Sequence, residues 1–192
     1  MSAYHTILAN KKQGYLPLVR DNDHSLFGII VVKKDSPILS VSDLEGTTVA
    51  FPSPNALAAT LLPRAELDRK FNIKVNELYV KSHSSVYLNV LLGKTAAGGG
   101  AQRTLSQQPE IIRDNLRVLY QTSAIPTHPL TAHPRVDTSV RNKVRAAFLK
   151  LGNSEKGIAL LSKIPMKKIS PANIEDYQPL KEMGLDKYYV AE

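Results

Sequence analysis

The sequence Ala50-Phe-Pro-Ser-Pro-Asn-Ala-Leu-Ala-Ala-Thr-Leu-Leu-Pro63 has the form of a strand that runs through a tight turn into a helix. Its start belongs to a predicted strand at 47–51, and its end belongs to a helical pattern that extends to Phe71. In such a turn the first N–H groups of the helix lack intrahelical partners and can bind an anion. The stretch therefore predicts an α/β protein with a candidate anion site at the turn.

Strands and helices alternate on both sides of this turn. Leu26–Val32 is a continuous apolar run, which is typical of a strand buried on both faces. Thr95–Ala101, with the glycine run Gly98-Gly-Gly100, predicts a strand and loop in close contact with another part of the chain. The alternation predicts mostly parallel sheets. Further helices are predicted at 3–12, 40–46, 57–71, 83–92, 139–151 and 154–161, and further strands at 15–20, 77–80 and 116–120.

Length and composition favour a folded globular protein. The chain has 192 residues, of which 43% are hydrophobic and 22% are charged, and this length suffices for one large domain or two small lobes. The net charge of +8 favours anionic partners. Because the basic residues occur as scattered short pairs such as Lys33-Lys34, they are typical of a solvated surface rather than of a nucleic-acid interface.

Several kinds of chemical site are missing from the sequence. It has no cysteine, which excludes disulfides and thiolate ligands. The histidines at 5, 24, 83, 128 and 133 lack metal-ligand spacing, and no nucleophile–base pair or carboxylate pair is usefully spaced. We therefore predict no enzyme activity, no metal and no cofactor. No apolar run reaches the roughly 20 residues of a membrane helix, and without a signal-peptide pattern the chain is either cytoplasmic or has lost a leader.

The sequence segments around the turn are similar to those of the phosphonate/phosphite-type periplasmic binding proteins. Phe27–Ser36, Ser42–Gly46 and Val49–Phe51 carry this resemblance in the right order and spacing. These proteins are the substrate-binding components of ABC transporters and have a two-lobed, hinged α/β fold. The resemblance continues through Leu61–Pro63, Ser82-His83, Leu91–Lys94, Arg117–Tyr120, Ile125–Pro129, Val144–Phe148 and Ile174–Tyr177.

The resemblance implies a division into lobes. Residues 1–35 and 122–192 would form the remainder of lobe 1, and residues 36–121 would form lobe 2. Chains of the family begin with an additional strand–helix–strand–helix stretch, so we expect an N-terminally truncated chain with an incomplete first lobe. Missing strands would leave an exposed sheet edge, through which a homodimer could form.

The resemblance also implies a ligand site that departs from the family pattern. Three hydroxyl residues that hold the oxyanion fall on Ala56, Leu57 and Ala58, and an aromatic lining residue falls on Leu26. An acidic residue falls on His128. Relative to the family, polar side chains that bind the ligand are thus replaced by small apolar side chains. The predicted ligand-binding residues are Leu26, Asn55, Ala56, Leu57, Ala58, His83, Gln102, Arg103 and His128.

Four of these residues also have an ordinary structural explanation. His83 could cap its helix, and Asn55 could be a turn residue or a helix cap. His128 lies close to two prolines and could be a plain loop residue, while Arg103 could be a solvated surface charge. The sequence leaves these alternatives open.

Two functions follow as hypotheses. The first is an extracytoplasmic solute-binding protein that holds a small ligand between two lobes, which close by hinge motion. This ligand would be anionic or less charged, and it would differ from a simple phosphonate. It would serve an ABC permease or act as the sensing part of a signalling protein. The alternative is a partner-binding interaction module on the same fold that has lost ligand binding, which the apolar residues at 56–58 favour.

Overall fold

The computed structural model of the protein describes residues 1–164 and 166–191. In this part of the chain no helix is long and apolar enough to span a membrane. The helices are α1 (Ala3–Gln13), α2 (Leu62–Phe71), α3 (His83–Leu91), α4 (Gln102–Ser106), α5 (Glu110–Arg113), α6 (Thr138–Gly152), α7 (Glu155–Leu161) and α8 (Pro179–Glu182). The strands are β1 (Leu16–Asp21), β2 (Ile29–Lys33), β3 (Thr48–Phe51), β4 (Asn76–Tyr79), β5 (Ala97–Gly100), β6 (Leu116–Gln121), β7 (Pro129–Ala132) and β8 (Ile169–Pro171).

The chain divides into two compact units. The first unit comprises residues 1–26 and 125–182, and the second comprises residues 27–124 together with the described residues from 183 onward. The expected lobes placed residues 27–35 in the first lobe. In the structure this segment contains β2, which pairs with β5 and β6 of the second unit.

The second unit is built on a five-stranded mixed sheet in the order β4-β3-β5-β2-β6. β3 pairs in parallel with β4 and β5, whereas β2 runs antiparallel to β5 and β6. The prediction of an α/β fold is confirmed, but the prediction of mostly parallel sheets is wrong. Among the strand pairings of the described residues, two are parallel and four are antiparallel. The reason is that an alternation of strands and helices along the chain does not fix which strands pair: β1 pairs with β7 and β8, and β2 pairs with β5 and β6, all antiparallel.

β2 is the central element of this unit's core. Its residues Ile29–Val32 are fully buried, as the apolar run predicts. Successive side chains of a strand point to opposite faces. Ile29 and Val31 accordingly pack with the α3 side, which includes Val86, while Ile30 and Val32 pack with the α2 side, which includes Leu67.

The first unit contains a three-stranded antiparallel sheet in the order β7-β1-β8. α6 packs on β1 and β8 of this sheet. The predicted helix 139–151 is confirmed with one additional residue at each end. α1 confirms the helix predicted at 3–12, and its N-terminal cap is Ser2, whose hydroxyl accepts the His5 N–H at 3.2 Å.

Two glycines allow the turn after β3 to pack directly against the backbone of the sheet. A Cβ atom at Gly99 would lie 2.1 Å from the carbonyl oxygen of Ala59, and one at Gly28 would lie 1.9 Å from that of Ala58. Real Cβ atoms essentially never come so close to another heavy atom. The close contact predicted for the glycine run is therefore confirmed, and the contact is with the turn.

We predict that Gly99→Ala destabilises the protein by roughly 3 kcal/mol, because the added methyl group must push a backbone carbonyl away from the sheet. Gly46→Ala is the matched control. Gly46 has a φ of 69° but no atom within 4 Å of its added Cβ, so only backbone strain of about 1 kcal/mol should result. Urea denaturation measures both. Equal destabilisation by the two variants would contradict the close contact.

Candidate functional site

Three helices begin at one edge of the sheet of the second unit. β4, β3 and β5 are adjacent and parallel, so their carboxyl ends meet at the same edge. The chain then enters helices that begin at Leu57, His83 and Gln102. We call this edge the carboxyl edge. Because the N-terminus of a helix carries a partial positive charge and free N–H groups, the carboxyl edge is suited to an anionic or polar ligand.

The turn after β3 opens into one turn of π-helix, Leu57–Leu61, which continues as α2. The carbonyl oxygen of Ala56 accepts both the Thr60 N–H at 2.8 Å and the Leu61 N–H at 3.1 Å, which widens this turn. Pro63 lies at the start of α2, as its effect on the helix predicts. Single turns of π-helix next to an α-helix are frequent at functional sites.

The hydrogen-bond donors of this turn that lack a partner among the described residues are backbone groups. The N–H groups of Leu57, Ala58 and Ala59 have no hydrogen-bond acceptor among the described residues, and no side chain caps the helix at Ala56. Leu57 is buried. The predicted positions 56–58 therefore present N–H groups, methyl groups and no hydroxyl.

Asn55 has its partners within the second unit. Its amide nitrogen donates to the carbonyl oxygen of Val190 at 2.7 Å, and its amide oxygen accepts the Val190 N–H at 2.9 Å. The side chain thus anchors the C-terminal segment and does not cap the helix. Sequence reasoning missed this role because the two residues are 135 positions apart.

His83 lies half-buried at the first position of α3. The cap of α3 is Ser82, whose hydroxyl accepts the Ser85 N–H at 3.1 Å, so the interpretation of His83 as the cap is wrong. Nδ1 of His83 lies 3.5 Å from the hydroxyl of Thr104. Burial lowers the pKa of His83, so the imidazole is neutral at neutral pH.

A polar network that the sequence did not reveal connects His83 to the sheet. The hydroxyls of Tyr87 and Thr104 lie 2.6 Å apart. The Tyr87 hydroxyl also accepts the Ala101 N–H at 3.3 Å, and the Thr104 hydroxyl donates to the Ala101 carbonyl at 2.8 Å. Gly100 leaves the room for this, since a Cβ there would lie 2.3 Å from the Tyr87 hydroxyl oxygen. Burial raises the pKa of the Tyr87 phenol.

The other predicted residues lie in two places. Gln102 and Arg103 are exposed on the first turn of α4, at the carboxyl edge. Leu26 and His128 belong to the first unit. There Leu26 exchanges hydrogen bonds with Ile125 at 2.9 and 2.7 Å, and Nδ1 of His128 accepts the Ala3 N–H at 3.2 Å. The structure thus gathers residues 56–58, 83, 102 and 103 at one edge.

No group of three or more His, Cys, Asp or Glu residues in the described part of the chain is arranged to hold a metal ion. The donors that the predicted residues bring to the carboxyl edge are N–H groups, an imidazole, an amide and a guanidinium, and the hydroxyls of Ser82 and Ser84 are exposed beside them. Such a set suits an organic solute with hydrogen-bond acceptors better than a cation.

The chain is similar to one protein family and to several solved structures. Residues 1–177 match the family model described as ABC transporter, phosphonate, periplasmic substrate-binding protein.

Solved structures with a similar fold include XAC2383 from Xanthomonas citri bound to ATP, with a TM-score of 0.84 and 20% identity over 97% of this chain and 76% of that one. A binding protein component of an ABC phosphonate transporter from Pseudomonas aeruginosa has a TM-score of 0.79 and 19% identity, covering 97% of this chain and 67% of that one. PhnD1 from Prochlorococcus marinus in complex with methylphosphonate has a TM-score of 0.76 and 13% identity, covering 99% and 85%. At these identities the likeness concerns the fold.

We predict that His83→Gln reduces the loss of stability on acidification. The unfolded chain binds a proton at His83 near the ordinary pKa of 6.5, whereas the folded protein binds it only at lower pH. The free energy of unfolding therefore falls as the pH drops below that value. His128, whose pKa burial also lowers, keeps part of this slope. Urea denaturation at about pH 7.5 and about pH 5.5 measures the difference, with the native chain as the reference, and an unchanged slope in His83→Gln would contradict the prediction.

Proposed function

The chain belongs to the family of periplasmic substrate-binding proteins of phosphonate ABC transporters, and we propose that it holds a small solute at the carboxyl edge of its second unit. Membership in this family makes it a solute-binding protein that acts outside the cytoplasm. The observation that carries the proposed site is the meeting of three helix starts at one sheet edge, with three free N–H groups at Leu57–Ala59.

The chemistry of the carboxyl edge supports a ligand other than a simple phosphonate. A dianionic headgroup needs several charge-assisted hydrogen bonds, each worth about 1.5–3 kcal/mol. At 56–58 the side chains offer none. Backbone N–H groups, His83, Gln102 and Arg103 suit a less charged solute, or one anchored by a single carboxylate. The roles proposed for Leu26 and His128 concern the first unit and stay predictions, while the amide of Asn55 is occupied by Val190.

The partner of the solute-bound protein is, on this proposal, an ABC permease or a signalling module. A homodimer through a sheet edge stays a prediction. The alternative function, a partner-binding module without a ligand, is favoured by one observation: the turn at 56–58 has the shape of an anion site but lacks side-chain donors.

A ligand screen by thermal unfolding separates these functions. We predict that one class among carboxylates, amino acids, phosphate and phosphonates stabilises the protein. At a hundredfold excess over the dissociation constant, binding adds about 2.7 kcal/mol, which corresponds to a rise in melting temperature of roughly 5–10 °C. If no class raises the melting temperature while the protein unfolds cooperatively, the interaction module is the better explanation.

We further predict that Ala56→Ser/Ala58→Ser increases the affinity for methylphosphonate by at least about tenfold, since one added hydrogen bond to a charged oxygen contributes roughly 1.5 kcal/mol. Leu57 is kept in this variant because it is buried. Titration calorimetry measures the affinity. Ala96→Ser, which adds a hydroxyl just before the amino end of β5, is the matched control, and equal affinities of the two variants would argue against a ligand at the carboxyl edge.

A further inference from the structure

Positive charge is concentrated in one segment of the first unit. Residues 135–168 contain nine lysines and arginines and two acidic residues, so this segment carries seven of the eight net positive charges of the chain. It comprises α6, α7 and the turn that follows, in which Pro165 lies outside the described residues. The remainder of the chain is therefore nearly neutral.

Four lysines of this segment are available to a partner. Lys143, Lys150, Lys156 and Lys163 are exposed and form no ion pair with any described residue. By contrast, the guanidinium of Arg141 donates to Thr138 at 2.8 Å and is held on the protein. The free charge thus resides on flexible lysine side chains.

Aliphatic side chains are exposed among these lysines. Ile158, Leu160 and Ile164 have 47%, 51% and 47% of their surface exposed. α7 is held against the protein by other residues: Leu161 is buried, and Gly157 lies so close to the Leu151 carbonyl that a Cβ would be 2.1 Å from its oxygen. The three exposed aliphatic residues are therefore not needed to dock α7.

We propose that Lys156, Leu160, Lys163 and Ile164, which we call the basic apolar surface, dock this protein on an anionic phospholipid bilayer. Lysines adjacent to exposed aliphatic residues are typical of helices that lie in the membrane interface. The ammonium groups pair with lipid phosphates, while the aliphatic side chains enter the boundary of the acyl region. This docking is independent of the solute proposed for the carboxyl edge, which lies in the second unit.

Other occupants fit the basic apolar surface less well. A second copy of the chain would bring the same concentration of positive charge to the contact, and like charges repel. A soluble polyanion would attract the lysines but gain nothing from the exposed aliphatic side chains of Leu160 and Ile164. An anionic bilayer is complementary to both features.

Flotation of the full chain with lipid vesicles tests the proposal. We expect binding to vesicles of phosphatidylglycerol and phosphatidylcholine in equal parts, and little binding to pure phosphatidylcholine. Each lysine near the surface contributes roughly a fivefold increase in affinity, so Lys156→Glu/Lys163→Glu should weaken binding by at least about 25-fold. Lys12→Glu/Lys94→Glu makes the same change of charge at exposed positions elsewhere and should weaken binding far less.

Leu160→Ser/Ile164→Ser tests the apolar contribution, with thermal unfolding to verify that the variant folds. We expect it to lose binding to anionic vesicles by about tenfold or more while keeping any affinity for soluble heparin. Equal binding of the two double lysine variants would overturn the proposal. So would unchanged vesicle binding of the serine variant, since the surface would then be a general polyanion site, or absence of vesicle binding by the native chain.

Discussion

The contact between the turn after β3 and the glycines of the sheet is the constraint on which the second unit depends. The carbonyl oxygens of Ala58 and Ala59 lie 1.9 and 2.1 Å from where the Cβ atoms of Gly28 and Gly99 would be. Backbone therefore packs on backbone, and the first turn of the helix lies as near to the sheet as sterically feasible. This fixes the position of the free N–H groups relative to the carboxyl ends of β3 and β5, so the geometry of the candidate site is set without any ligand-binding side chain.

The same glycine run organises the polar side of the edge. Gly100 leaves room for the Tyr87 hydroxyl, which together with Thr104 satisfies both backbone groups of Ala101. Buried polar groups that are fully hydrogen-bonded rigidify their surroundings. The start of α4 is thereby held beside the start of α3 and His83. The scaffold of the site thus rests on glycines and backbone contacts, so the absence of hydroxyl side chains at 56–58 is compatible with membership in the family.

Charge and ligand site are separated along the chain. The short pairs of basic residues are scattered along the sequence. Almost the whole net positive charge of the chain nevertheless lies in α6, α7 and the turn after them, in the first unit. The N–H groups at the carboxyl edge of the second unit are partial charges of the backbone and contribute nothing to that count. The net charge therefore says little about the ligand and more about the surface.

Local signals in the sequence predict most helices and strands of the second unit, the burial of Ile29–Val32 and a helix start after β3, because periodicity, caps and glycine stops involve residues that are close along the chain. The resemblance of short segments indicated the family, and the match over residues 1–177 shows it. The antiparallel direction of β2, the pairing of Asn55 with Val190 and the network of Tyr87 and Thr104 depend on the tertiary structure. Strand direction depends on how the chain returns to the sheet, and a hydrogen bond between residues far apart in sequence leaves no periodic trace. For this reason the helix start at the carboxyl edge could be predicted, whereas the role of Asn55 as an anchor of the C-terminal segment could not.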